Sequence, residues 1–312
     1  KKCTLFFHSR SKKYLYQRIK TLMVFLLNIF SWLIYRLPNG SKIGLSNFVA
    51  FLLQHIISYR KKVVEQNLSR SFPEKNKAEL AAIKKEFYRH LTDRMIEGLA
   101  MNHFTEKDVL ECCVVENFEI VQLEFKKGKS VVAVLGHCGS WELACLRASF
   151  AIGNDAKQYA VYTKIGYEPL NEYVKKSRGK FGMQLFSMQE IAQQLRTGLG
   201  EKSIGIYLAD QNHSNPKRAF WTTFLNQDTP FMTGPARFAR AWDTALFFVE
   251  IKQTSRFHYN IHLELMQENV QPFSPEELTL QFVQRLEKQL RETPSDWLWS
   301  HKRWKHKRET KN

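Results

Sequence analysis

Ser130-Val131-Val132-Ala133-Val134-Leu135-Gly136-His137-Cys138-Gly139-Ser140-Trp141-Glu142-Leu143 is the stretch whose reading decides the fold. Its opening is an uncharged, valine-rich run. Such a run reads as a strand buried on both faces, the kind found inside parallel sheets. Gly136 and Gly139 permit a tight turn, and Ser140 is a good N-cap for a helix starting at Trp141. Strand, short loop and helix together form the repeating unit of an α/β protein.

Working outward, the same alternation continues. Gln158 to Tyr162 and Ser203 to Leu208 read as strands, with a helix from Pro169 to Phe181 between them. Thr233 to Trp242 reads as a helix, Ala245 to Lys252 and His258 to Met266 as strands, and Pro275 to Arg291 as a last long helix. Upstream, Pro73 to Lys77 is a turn and Lys77 to Met101 an amphipathic helix. The expected fold is therefore α/β, with a mixed, mostly parallel central sheet and helices on both faces, forming one domain over residues 60–312.

Residues 1–59 read differently. Basic residues (Lys1, Lys2, Arg10, Lys12, Lys13, Arg18, Lys20) precede an apolar run from Thr21 to Tyr35. Pro38-Asn39-Gly40 separates it from a second run, Ile43 to Tyr59, which Ser46, Asn47, Gln54 and His55 interrupt. A membrane-spanning helix needs about 20 largely apolar residues, so the first run is short and the second too polar. No small-residue cleavage site follows, which favours a retained N-terminal hydrophobic membrane-anchoring helix over a removable signal. Residues 43–59 are expected on or just under the membrane surface; a buried helix fits their periodicity equally well.

Composition sets the class of partner. The 312 residues carry 47 Lys and Arg against 30 Asp and Glu, a formal net charge of +17. That surplus calls for an anionic partner: nucleic acid, an anionic membrane or an acidic carrier protein. The 23 Phe and 7 Trp tilt the choice toward lipid. Five cysteines with no CxxC pair read as reduced thiols without a disulfide framework.

The chemistry rests on His137 and Glu142. On one continuous helix, five residues apart, they would sit off a common face. With His137 in the loop and Glu142 in the first helical turn, the two can converge at the carboxyl end of the strand, where open α/β sheets bind ligands. Imidazole can take the proton of a hydroxyl near neutral pH, and a carboxylate on its other nitrogen would fix the tautomer and stabilise the imidazolium. Nothing in this scheme needs a metal or another cofactor. Cys138 is a competing nucleophile beside the histidine. Asp210 and Gln211 also stand at a strand end, where either catalysis or a turn would use them.

Several ordered blocks carry a resemblance. His137-x-x-x-x-Glu142 after an apolar strand resembles the His-x4-Asp/Glu signature of bacterial lipid A late acyltransferases, within the lysophospholipid acyltransferase superfamily. Arg60, Asn67-Leu68 and Phe72-Pro73 look like the family's upstream block. Pro169-Leu170-Asn171-Glu172-Tyr173 with Arg178, and Tyr207-Leu208-Ala209-Asp210-Gln211, are similar to two downstream ones. Phe224, Thr229, Gly234 and Ala239-Arg240 follow in family order, and the aromatic-basic stretch Trp297 to Lys305 resembles the family's C-terminus.

The resemblance implies transfer of a fatty acyl group from acyl carrier protein to a hydroxyl of a lipid A precursor, at the cytoplasmic face of the bacterial inner membrane. It implies His137 as base with Glu142 as its orienter. It further implies Arg178, Lys164, Asp210 and Gln211 as substrate-binding or oxyanion candidates. Trp297, Trp299, Arg303, Trp304 and Lys305 are expected to contact membrane or lipid rather than nucleic acid. Leu225-Asn226 stands where the family has Phe-Gly, and Lys164 where an arginine is common, so another membrane lipid is an alternative acceptor. Two further alternatives are a hydrolase using the same residues and a non-catalytic protein that binds anionic membranes or nucleic acid.

Overall fold

A computed structural model describes residues 22–196, 202–212 and 215–308. The valine-rich run forms β2 (Val131–Leu135), and all five of its residues are buried. It is sandwiched in register between two parallel neighbours, β5 (Ser203–Leu208) and β8 (Ala245–Ser255). Beyond β5 lie β3 (Lys157–Tyr162) and β4 (Gln184–Ser187). Beyond β8 lie β9 (His258–Gln267) and β1 (Cys113–Glu116), giving the order β1-β9-β8-β2-β5-β3-β4. Within this seven-stranded sheet, among the described residues, only the β8–β9 pairing is antiparallel, so the sheet is mixed and mostly parallel as expected.

Side chains alternate across a strand, and here the alternation divides two cores. Val132 and Val134 point to one; Val131, Ala133 and Leu135 point to the other. The first core is closed by α3 (Lys61–Ser71), α10 (Gly234–Ala241), α11 (Pro275–Glu292) and the tryptophans Trp297 and Trp299. The second is closed by α5 (Glu106–Cys112), α6 (Phe118–Lys126) and α7 (Trp141–Ile152). Helices α8 (Glu168–Arg178) and α9 (Met188–Arg196) flank the β3–β4 edge, and a two-stranded ribbon, β6 (Phe220–Phe224) with β7 (Gln227–Phe231), stands outside the main sheet.

The N-terminal region is two helices, α1 (Leu22–Arg36) and α2 (Asn39–Phe51), meeting at a 119° bend, with a π-helical turn (Leu52–Ile56) after them. Among the described residues no single helix is long and apolar enough to cross a membrane. The basic segment before them, and Thr21, lie outside the described residues. The second apolar run is bound to protein on one side: Ala50 is buried, and the Ser46 hydroxyl donates to Asp93 at 2.6 Å. Asp93 belongs to the long helix α4 (Lys77–Ala100). The opposite side exposes Phe48, Phe51, Ile56 and Ile57. Ile34 of α1 is buried as well, so packing continues across the expected boundary at residue 59.

Candidate functional site

Two loops meet at the carboxyl ends of β2 and β5. Leu135 pairs with Leu208, and the Ala209 N–H donates to the Leu135 carbonyl at 3.0 Å. That register places His137 and Asp210, each two residues past its strand, side by side. The His137 ring lies 2.6 Å from Asp210 through Nδ1, and the His137 backbone N–H donates to the other carboxylate oxygen at 2.9 Å. The carboxylate accepts at Nδ1, so Nδ1 carries the proton and Nε2 is left as the basic nitrogen. The Gln211 side-chain amide donates to Nε2 at 3.1 Å.

The loop takes this shape for local reasons. Gly139 has φ +54°, and a Cβ there would come within 2.6 Å of Ile251. At Gly136 a Cβ would meet the end of Leu286 at 2.6 Å. Ser140 does occupy the N-cap of α7, but its hydroxyl makes no cap hydrogen bond; it lies beside the buried Glu97 carboxyl instead.

Asp210 is almost fully buried. Burial would raise its pKa. The neighbouring His137, that residue's two hydrogen bonds and a 2.6 Å bond from the Trp297 indole N–H outweigh this and hold it down to about 2. The partner of the histidine is thus a fixed carboxylate.

Glu142 is not that partner. Its carboxylate is gripped by both arms of the Arg178 guanidinium, through Nε at 2.6 Å and through Nη2. The reason is geometric: α7 begins at Trp141, and from its first turn Glu142 faces the end of α8 rather than the imidazole. Burial lowers the Arg178 pKa, but the Glu142 charge more than offsets this and raises it. Lys164 is about half exposed and pairs with Glu190 at 3.0 Å, away from the histidine. Cys138 is fully buried and its thiol is pushed well above its ordinary value by desolvation, which leaves no thiolate to act as nucleophile.

The C-terminal stretch also needs correction. Trp297, Trp299 and Arg303 are buried within the protein and cannot touch lipid. Trp304 is partly buried, its indole donating to Thr229 at 2.8 Å, and of these five residues only Lys305 is exposed. Asn67 on α3 donates to the carbonyls of Trp299 and His301, at 2.8 and 3.0 Å. Arg303 donates to Asn212 at 3.1 Å and sits over the Phe231 ring. These bonds clamp the segment against the Asp210 loop. Aromatic and basic residues in sequence could not reveal this, because the same side chains serve a buried clamp and a lipid surface equally well.

A cavity of about 490 Å³ opens from His137. Trp141, Glu142, Arg178 and Gln211 line it near the histidine. Beyond them it is apolar and runs between the sheet and α7, whose Ala144, Ala148 and Ala151 present a small face. Helical spacing keeps these alanines in one stripe, and their lack of bulk leaves the space. A histidine–aspartate pair at the head of a long apolar slot suits a reaction on a fatty chain.

No curated protein sequence matches the chain. The family model for bacterial lipid A biosynthesis acyltransferases, however, matches residues 8–306, nearly the whole length. The chain belongs to the bacterial lipid A biosynthesis acyltransferases.

Proposed function

We propose that the protein transfers a fatty acyl group from acyl carrier protein to a hydroxyl of a lipid A precursor, with His137 as base and Asp210 as its orienter. The observation that carries this reading is the His137 ring, held between Asp210 and Gln211 at the mouth of the apolar slot under α7. Nε2 takes the proton of the acceptor hydroxyl as its oxygen attacks the thioester carbonyl. Asp210, kept ionised, stabilises the imidazolium that results. The tetrahedral intermediate collapses, the thiolate leaves, and the imidazolium returns a proton to it.

Gln211 must release Nε2 when the hydroxyl arrives. Its amide is then free to donate to the developing oxyanion, the kind of stabilisation such an intermediate needs. Glu142 holds Arg178 at the cavity wall, where the guanidinium can meet a phosphate or a carbonyl of either substrate. The donor's chain fills the α7 slot, and the basic surplus of the chain serves the acidic carrier and an anionic bilayer. We further propose that the protein works at the inner membrane, on its cytoplasmic face, a reading that the exposed apolar sides of α1 and α2 support.

The test is transfer of a radiolabelled acyl group from acyl carrier protein to a tetra- or penta-acylated lipid A precursor in reconstituted membranes. His137→Ala and Asp210→Asn are expected to lower kcat by about 10³-fold or more while the melting transition stays cooperative. Glu142→Gln is expected to retain more activity than either. Equal transfer by wild type and His137→Ala sinks the mechanism. Transfer only to another membrane lipid replaces the acceptor.

A further inference from the structure

The cavity is lined from both faces of the sheet. In β5, Ile206 belongs to the core under α7, whereas Tyr207 belongs to the opposite core, on the α10 side. In β3, Ala160 and Val161 likewise point to opposite faces. All four line the same cavity. Paired strands leave no passage between them, since their backbone groups are bonded to one another. A cavity touching both faces must therefore wrap over the ends of β3 and β5. It has two branches, which join at the strand ends beside His137 and Gln211.

The first branch is the α7 slot. The second lies between the sheet and α9–α10, with Val161, Tyr207, Ile191, Met232 and Phe238 along it and Met188, more than half exposed, at its rim. Apart from Tyr207, the residues named along it are apolar. The Tyr207 hydroxyl offers a ligand little, because it faces the Tyr159 hydroxyl at 3.3 Å. A sugar or glycerol backbone carries hydroxyls that would go unpaired there, and a buried unpaired hydroxyl is costly. A hydrocarbon chain carries none.

We propose that the α10 branch is a binding site for a second hydrocarbon chain, belonging to the acceptor and separate from the donor's slot. This rests on the acyl-transfer reading above. Two chains lying on opposite faces of the sheet converge only at the strand ends, so a hydroxyl carried on the acceptor chain is delivered to Nε2 of His137. Val161 and Phe238 then set acceptor selectivity, and Ala148 and Ala151 set donor chain length.

The experiment has two arms, so that it survives failure of the transfer assay. In the first, the full-length protein is irradiated with a 12-carbon fatty acid bearing a terminal diazirine, and labelled peptides are mapped by mass spectrometry. Wild type is expected to label both α7 and the β7–α10 region. Val161→Phe, which fills the second branch, is expected to lose at least tenfold of the β7–α10 label and keep the α7 label. Ala151→Phe is expected to do the reverse, so each variant reports the folding of the other branch. Label confined to α7 in wild type overturns the proposal whether or not transfer occurs.

In the second arm, Val161→Phe is expected to raise the acceptor's KM at least tenfold and leave the donor's KM and preferred chain length within twofold. The opposite pattern would put the donor's thioester arm in this branch and overturn the assignment. Absence of transfer by wild type with both branches labelled would refute the transfer reading and keep the second chain site.

Discussion

At the residue scale the site turns on how one carboxylate is held. Asp210 accepts three hydrogen bonds, from the His137 ring, the His137 backbone and the Trp297 indole. Trp297→Phe removes one while keeping most of the bulk. A hydrogen bond to a charged group contributes about 1.5–3 kcal/mol, and if half of that bears on the transition state, kcat falls by about four- to thirteenfold. The donor's KM should not change, because Trp297 does not line the cavity. An unaltered kcat would show that the indole only packs. The Arg178–Glu142 pair is partly exposed, each side chain about a quarter accessible. Arg178→Ala should therefore cost only about 1–3 kcal/mol in denaturant melts. The double variant with Glu142→Ala should cost less than the sum of the singles, a coupling that a pair without mutual contact would lack.

At the scale of elements, the loop between β2 and α7 carries the strictest demand. Gly139 combines a left-handed φ with contact against Ile251. Gly139→Ala is expected to cost about 2–4 kcal/mol in thermal melts. Gly136→Ala is expected to cost less, because its backbone is not left-handed and its new Cβ meets side-chain ends, of Leu286 at 2.6 Å and of Cys138 at 3.3 Å, rather than backbone. Equal losses would mean that the crowding at the two positions is alike.

Much of this layout was legible in the sequence. β2 and β5 were readable from their unbroken apolar runs, and the start of α7 from the residues around Ser140. The short strands Cys113–Glu116 and Gln184–Ser187 were missed, since four residues give too little pattern to read. His137 was legible for the same reason as its strand. Its partner was not. Asp210 lies 73 residues away and comes to the ring only because β2 and β5 are neighbours in register, which no spacing within one stretch encodes.

At the scale of the whole molecule, a second polar centre ties the N-terminal helices to the site. Arg256, in the turn between β8 and β9, donates to Asp93 at 2.5 Å and to Asn47 of α2 at 3.0 Å. One helical turn on, buried Glu97 accepts from the Tyr259 hydroxyl at 2.7 Å and lies beside Ser140, three residues after His137. Burial pushes the Glu97 carboxyl up to about 8. The Tyr259 and Ser140 hydroxyls and Arg94 pull it down, while Asp93 adds to the rise. The folded protein therefore holds a proton that the unfolded chain has released above about pH 4.5. That contribution is complete below pH 4.5 and is lost as pH rises toward 8. Glu97→Gln should flatten the stability profile between those values and raise the melting temperature at pH 8 relative to wild type. A profile unchanged by the substitution would assign the pH dependence elsewhere. At the acid end the sign reverses: Asp210 supports the fold above about pH 4, and its share is lost as pH falls toward 2.

The clamp formed by residues 297–304 has a consequence for how the protein is made. Trp297 lies 87 residues downstream of Asp210, beyond every strand of the sheet. Chains emerge from the ribosome amino end first, so α1 and α2 and all the described strands are translated before the indole that bonds the Asp210 carboxylate. A nascent chain halted before residue 297 would carry the sheet, the histidine and the apolar slot with Asp210 held by His137 alone. The last of the three hydrogen bonds to Asp210 is thus made only once the C-terminal stretch has been synthesised, and an incomplete copy holds that carboxylate less firmly.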